Sequence, residues 1–90
     1  MKPGLKVMTS KYARATVLAE LASGARGIFR GVEAGRGITS RLAALGLVAG
    51  SPVEVLQNSG RGPVLVRVHN TRVALGRTEA RKVLIEIFEE

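Results

Sequence analysis

Arg41-Leu42-Ala43-Ala44-Leu45-Gly46-Leu47-Val48-Ala49-Gly50-Ser51 is the stretch that decides the fold. It reads as the end of a short helix, a glycine stop and a tight turn into a strand. The spacing of Ile38, Leu42 and Leu45 places all three on one helical face. Gly46 follows the last periodic leucine, where a left-handed residue is most readily glycine. Ala49-Gly50 fits the centre of a type II turn, whose second central position needs positive φ. Pro52 then stands at a strand's first residue, where its missing N–H matters least.

Downstream the pattern is a β-meander. Val53, Val55 and Gln57 alternate with Glu54 and Leu56, and Asn58-Ser59-Gly60-Arg61-Gly62 is a hairpin loop of turn formers. Val64, Val66 and Val68 alternate with Leu65, Arg67 and His69. A tight hairpin at His69-Asn70-Thr71-Arg72 follows, with Asn70 tolerant of positive φ, and Val73 and Leu75 return to the core face. Residues 76–81 form a helical or 3₁₀ turn, and Val83, Ile85 and Ile87 define a last strand.

Upstream, residues 27–33 form a first strand with imperfect alternation. Either Arg30 lies near a barrel mouth or Gly31 marks a bulge that changes the facing. Ala34-Gly35-Arg36-Gly37 is a loop into the helix at residues 38–45. Thr16 is placed to N-cap a single turn carrying Val17, Leu18 and Leu21, a lid over one end of the core. The expected fold is mainly β: a small closed or partly open barrel of about five strands, with one short helix inserted after the first strand.

Ninety residues suit one small domain, with a core of Val, Leu, Ile and Ala and only Tyr12, Phe29 and Phe88 aromatic. The net charge is +7. Lys2, Lys6, Lys11 and Arg14 belong to a basic tail at residues 1–14, which precedes a domain at 15–90. The remaining ten basic and seven acidic residues leave only +3. The tail reads as a solvated extension, or as a docking element for an anionic partner or membrane surface. No apolar run reaches the roughly 18–20 residues that span a bilayer, and no signal-peptide pattern follows Lys6. The expectation is a cytoplasmic domain with no direct membrane insertion.

Catalytic chemistry finds few residues. With no cysteine there is neither a thiolate nor a disulfide, and His69 is the single imidazole, expected to be exposed at a hairpin shoulder. The carboxylates are all glutamates, scattered along the chain without metal-ligand spacing. A ligand set shared across an oligomer, or built on Glu89-Glu90, stays open. Gly31, Gly35 and Gly37 match neither dinucleotide nor P-loop spacing. The expectation is no enzyme and no cofactor. Nucleic acid is the competing partner class, weakened by the lack of an aromatic stacking platform.

Three stretches carry a family resemblance. Gly37-Ile38-Thr39-Ser40-Arg41-Leu42-Ala43-Ala44-Leu45-Gly46-Leu47-Val48-Ala49-Gly50-Ser51 resembles the central signature of the ferrous iron transport protein A (FeoA) family. Gly62-Pro63-Val64-Leu65-Val66-Arg67-Val68 looks like that family's glycine-proline strand. Thr71-Arg72-Val73-Ala74-Leu75-Gly76-Arg77, with Ala80 and Val83 beyond, looks like its second signature, and Leu18, Leu21 and Gly24 like its opening. Asn70 departs from a common glycine, and the basic tail is additional. The resemblance implies an SH3-like barrel and a cytoplasmic accessory of ferrous iron uptake. Such a protein acts on the cytoplasmic G-protein domain of the permease, transport protein B, and is recruited by it to the inner face of the plasma membrane. The alternatives are an SH3-like module of a metal-responsive regulator, though no helix-turn-helix is present, and a nucleic-acid-binding barrel. A partner surface is expected around the helix and its turns: Arg36, Arg41, Leu45, Gly46 and Leu47, with Arg72 and Arg77. Edge strands can pair, so a homo-oligomer is also an expectation.

Overall fold

The computed structural model describes residues 13–33 and 36–88. Six antiparallel strands form one sheet: β1 (Ala13–Val17), β2 (Arg26–Val32), β3 (Pro52–Gln57), β4 (Val64–Val68), β5 (Thr71–Leu75) and β6 (Val83–Phe88), in the order β1-β6-β2-β3-β4-β5. Helix α1 (Arg36–Ala44) joins β2 to β3, and a short α2 (Arg77–Ala80) joins β5 to β6. The five expected strands and the inserted helix are all present.

An additional strand, β1, corrects the reading of the N-terminal part. Ala13–Val17 pairs residue for residue with β6, from Ala13 opposite Phe88 to Val17 opposite Leu84. Thr16 is therefore a strand residue and caps nothing. The 3₁₀ turn Leu18–Glu20 that follows has Val17 at its N-cap, with no side-chain cap. The small residues of β1 give little alternation to read; the exposed edge of β6 imposes the extended form. Residues 1–12 of the basic tail, Ala34-Gly35 of the glycine loop and Glu89-Glu90 lie outside the described residues.

The imperfect alternation of β2 resolves as a bulge. Phe29 pairs with Ile85, Gly31 with Leu84 and Val32 with Val83, so the register shifts between Phe29 and Gly31. An odd separation along the strand thereby turns both Phe29 and Val32 toward the core, while Arg30 stays exposed and pairs with Glu86. Elsewhere the alternation holds as expected, except that a second register shift falls between Val55 and Gln57. Val53 and Val55, Val64, Val66 and Val68, Val73 and Leu75, and Val83 and Ile85 are all buried in one cluster with Leu18, Leu42 and Leu47.

Gly27 is buried on the inner face of β2 with its missing side chain replaced by neighbours. A Cβ there would stand 2.4 Å from Ile85 Cγ2 and 2.8 Å from the Glu86 carbonyl oxygen. This is a close approach that only glycine allows.

The two edge strands, β1 and β5, are linked by a polar latch. Asn58, just after β3, donates through Nδ2 to the carbonyls of Ala19 (3.0 Å) and Leu21 (2.6 Å). Its Oδ1 accepts from Gly60 N–H (3.1 Å) and from Arg77 Nη2 (2.8 Å). Arg77, just after β5, also donates to the carbonyls of Gly62 (3.1 Å) and Ala19 (3.3 Å). Segments following β1, β3 and β5 are thus held together where no backbone ladder joins them.

Candidate functional site: the helix end and the outer face of the sheet

The end of α1 is a Schellman motif. Leu47 N–H bonds to the Leu42 carbonyl (2.9 Å) and Gly46 N–H to that of Ala43 (2.9 Å), with Gly46 at φ +95°. In this motif the residue two beyond the cap packs back on the helix, and Leu42 and Leu47 are both buried. The apolar stripe therefore runs Ile38, Leu42, Leu47. Leu45, expected on that face, is instead the cap residue and 40% exposed.

The expected type II turn is present, with Ser51 N–H bonded to the Val48 carbonyl (2.9 Å) and Gly50 at φ +96°. Ser51 is buried and locks this corner: its Oγ accepts from Val48 N–H (3.1 Å) and donates to the Gly46 carbonyl (3.2 Å). Two further bonds fasten the corner to β2, Phe29 N–H to the Ser51 carbonyl and Gly50 N–H to the Phe29 carbonyl, both 2.8 Å. The corner so anchored presents Leu45 and Val48, the latter 52% exposed, to solvent.

His69 and Asn70 form the β4–β5 turn with φ of 51° and 69°, so both central residues are left-handed, as a type I′ turn requires. His69 is exposed, as its hairpin position predicts. It adjoins the helix corner: a methyl group added to Gly46 would stand 3.4 Å from His69 Cδ2. It also lines a groove of about 560 Å³ on the outer face of the sheet. The groove is lined by Arg26, Ile28, Pro52, Glu54 and Arg67.

Strand register organises this face. Arg26 lies opposite Glu54, Glu54 opposite Arg67, and Arg67 opposite Arg72. Directly opposed residues share a face, so these four make one row across β2, β3, β4 and β5. Arg67 Nη1 bonds Glu54 Oε1 at 3.0 Å. Ile28 and Pro52, also opposed, form an apolar row beside it.

The residues expected at a partner surface separate into distinct roles. Leu45 and Gly46 lie at the corner beside His69, and Arg72 ends the charged row. Leu47 is buried and offers no surface. Arg41 forms a two-pronged ion pair with Glu79, bridging α1 to α2. Arg77 serves the latch, and none of its bonding partners lines the groove. Arg36 opens α1, and its side chain lies outside those described. Sequence reading missed Arg26, Ile28, Pro52, Glu54 and Arg67 as one surface, because their convergence needs the register of three strand pairs.

Among the described residues no group of three carboxylates or imidazoles is placed to hold a metal ion. No helix among them is long and apolar enough to cross a membrane.

The FeoA domain family model matches residues 16–87, from the end of β1 through β6. The chain belongs to the FeoA domain family. A protein of Methanocaldococcus jannaschii, named as a candidate Fe(2+) transport protein A, is 34% identical over 62 residues, 69% of this chain and 74% of its own. The FeoA of Stenotrophomonas maltophilia, solved in complex with zinc and described as a prokaryotic SH3 domain protein, superposes with a TM-score of 0.68 at 30% identity. That match covers 83% of this chain and 99% of the other, and confirms the SH3-like architecture. A manganese-dependent transcriptional repressor has a similar fold at 22% identity and a TM-score of 0.71, over 82% of this chain and 41% of its own. At that identity the likeness shows the fold alone.

Proposed function

We propose that this FeoA-family chain, whose family is one of accessory proteins in ferrous iron transport, is an interaction module that acts on the cytoplasmic G-protein domain of the ferrous iron permease. The observation that carries this reading is the anchored corner at Gly46–Ser51. The hydrogen bonds of this corner hold a turn that leaves two apolar side chains in water. Here Leu45 and Val48 are held outward beside His69 and the groove. An apolar knuckle on a rigid corner next to a polar rim is the arrangement of a protein contact. Recruitment to the inner face of the membrane follows from binding such a partner.

The test is a titration of the purified protein against the isolated G-domain of its cognate permease, with and without nucleotide, at two salt concentrations. An unrelated acidic protein and a short oligonucleotide serve as controls. Saturable binding to the G-domain alone, weakened by Leu45→Ser or Val48→Ser, supports the accessory role. Binding to the oligonucleotide alone, with steep salt dependence, replaces it with a nucleic-acid function.

A further inference from the structure

The outer-face row carries three guanidiniums against one carboxylate. Arg67 and Arg72 stand directly opposite each other on neighbouring strands, a like-charge pairing that weakens a sheet. Glu54 relieves Arg67 alone, at 3.0 Å. Arg26 and Arg72, at the two ends, are exposed, and neither has a carboxylate within ion-pair distance among the described residues. From Arg26 on β2 to Arg72 on β5 is three strand spacings, about 14 Å. Carboxylates four residues apart in an extended chain are separated by about 13 Å. The row therefore matches an extended acidic segment crossing the strands.

We infer that the row Arg26–Glu54–Arg67–Arg72 is a docking site for an extended acidic segment of a partner protein. Its carboxylates pair with Arg26 and Arg72, and an apolar side chain between them lies on Ile28 and Pro52. The site rests on the interaction-module reading and specifies what the partner presents. Guanidinium groups suit this role because their planar fork grips a carboxylate through two parallel hydrogen bonds. A single-stranded nucleic acid would find the charge but no stacking platform among the described residues: Phe29 is buried, and His69 is the one aromatic ring lining the groove. His69 both lines the groove and adjoins Gly46 of the Leu45–Val48 corner, so one partner can engage both.

The probe is a fluorescein-labelled ten-residue peptide with glutamate at every fourth position, leucine midway between successive glutamates and serine elsewhere, so that glutamates and leucines share one face. A counterpart with lysine for glutamate and a ten-nucleotide thymidine strand are run beside it, and amide chemical shifts are followed by NMR. The acidic peptide is expected to bind saturably, shifting the amides of Arg26, Glu54, Arg67 and Arg72, while the lysine peptide does not. Joint Arg26→Glu and Arg72→Glu substitution should lower its affinity at least about tenfold. Glu54→Gln, which removes the competing carboxylate, should raise it several-fold. Arg81→Glu, an exposed arginine off the row, should leave it unchanged. Arg72→Glu sets a carboxylate opposite Arg67, so its thermal unfolding should be no lower than that of the parent, which separates lost binding from lost fold.

The same variants are then titrated against the G-domain. Equal binding of parent and double variant overturns the docking site and leaves the accessory reading standing. Ladder shifts with the acidic peptide, but no G-domain binding, overturn the choice of partner and keep the site. Preferential binding of the thymidine strand at the row overturns the acidic-segment inference.

Discussion

Replacing Asn58 with alanine should cost this domain a large share of its stability, although no reading of a hairpin loop would single it out. The side chain makes four hydrogen bonds, to the carbonyls of Ala19 and Leu21 and from Gly60 N–H and Arg77. Gly60 is exposed and water replaces its bond, which leaves three that matter. At a net ~1 kcal/mol each, truncation costs about 3 kcal/mol. For a domain of this size that lowers the melting temperature by roughly 12–24 °C. The assay is thermal and urea unfolding followed by circular dichroism, with an unchanged urea m-value marking a pure stability effect. Asn58→Asp sharpens the test. It retains the acceptor for Gly60 and Arg77 but turns an oxygen toward two carbonyl oxygens, so it should destabilise comparably despite equal size. A shift under about 4 °C for alanine, or an aspartate variant as stable as the parent, refutes the assignment of the latch to Asn58.

Two other substitutions test the packing and the helix contact. Gly27→Ala forces a methyl group to within 2.4 Å of Ile85 Cγ2 and 2.8 Å of the Glu86 carbonyl; a loss of about 3 kcal/mol is expected. In an Ile85→Ala background the added loss should shrink without vanishing, because the carbonyl stays, and calorimetry of the four proteins reads the difference. Arg41→Ala breaks only an exposed ion pair, with side-chain exposures of 57% for Arg41 and 16% for Glu79, so it should cost under ~1 kcal/mol. Glu79→Ala should cost more, since Glu79 also accepts from Gly76 N–H (3.2 Å) at the start of α2; equal losses in urea titrations would disprove that added role.

The barrel was legible where sequence chemistry is local. Gly46, Gly50, Pro52 and Asn70 each stand where their backbone preferences place them, and the Val64, Val66, Val68 alternation survives intact. Two errors share one cause. Leu45 obeys helical spacing but falls on the cap, where the Schellman hydrogen bonds swing Leu47 into the core instead. Ala13–Val17 has no pattern of its own and becomes a strand because β6 has an edge to fill. In both, a contact from beyond the local window decides the outcome.

The same distinction explains which arginines matter. Judged singly, Arg41 and Arg77 read as surface charges; in the structure each has partners within the chain, Arg41 through an exposed ion pair with Glu79 and Arg77 through the latch. Arg26 and Arg67 drew no attention because nothing in their own segments marks them. Register alone sets them in a row with Arg72, through stretches of β2–β3, β3–β4 and β4–β5 pairing that carry no register shift at the row. Gly27, whose bare backbone lets β2 sit close on Ile85 and Ile87, is next to Arg26 in the chain. The backbone positions of the charged row are thus set by strand pairing. A surface of fixed spacing and unbalanced charge selects among partners by geometry as well as by sign, and that selectivity is what a regulatory contact needs.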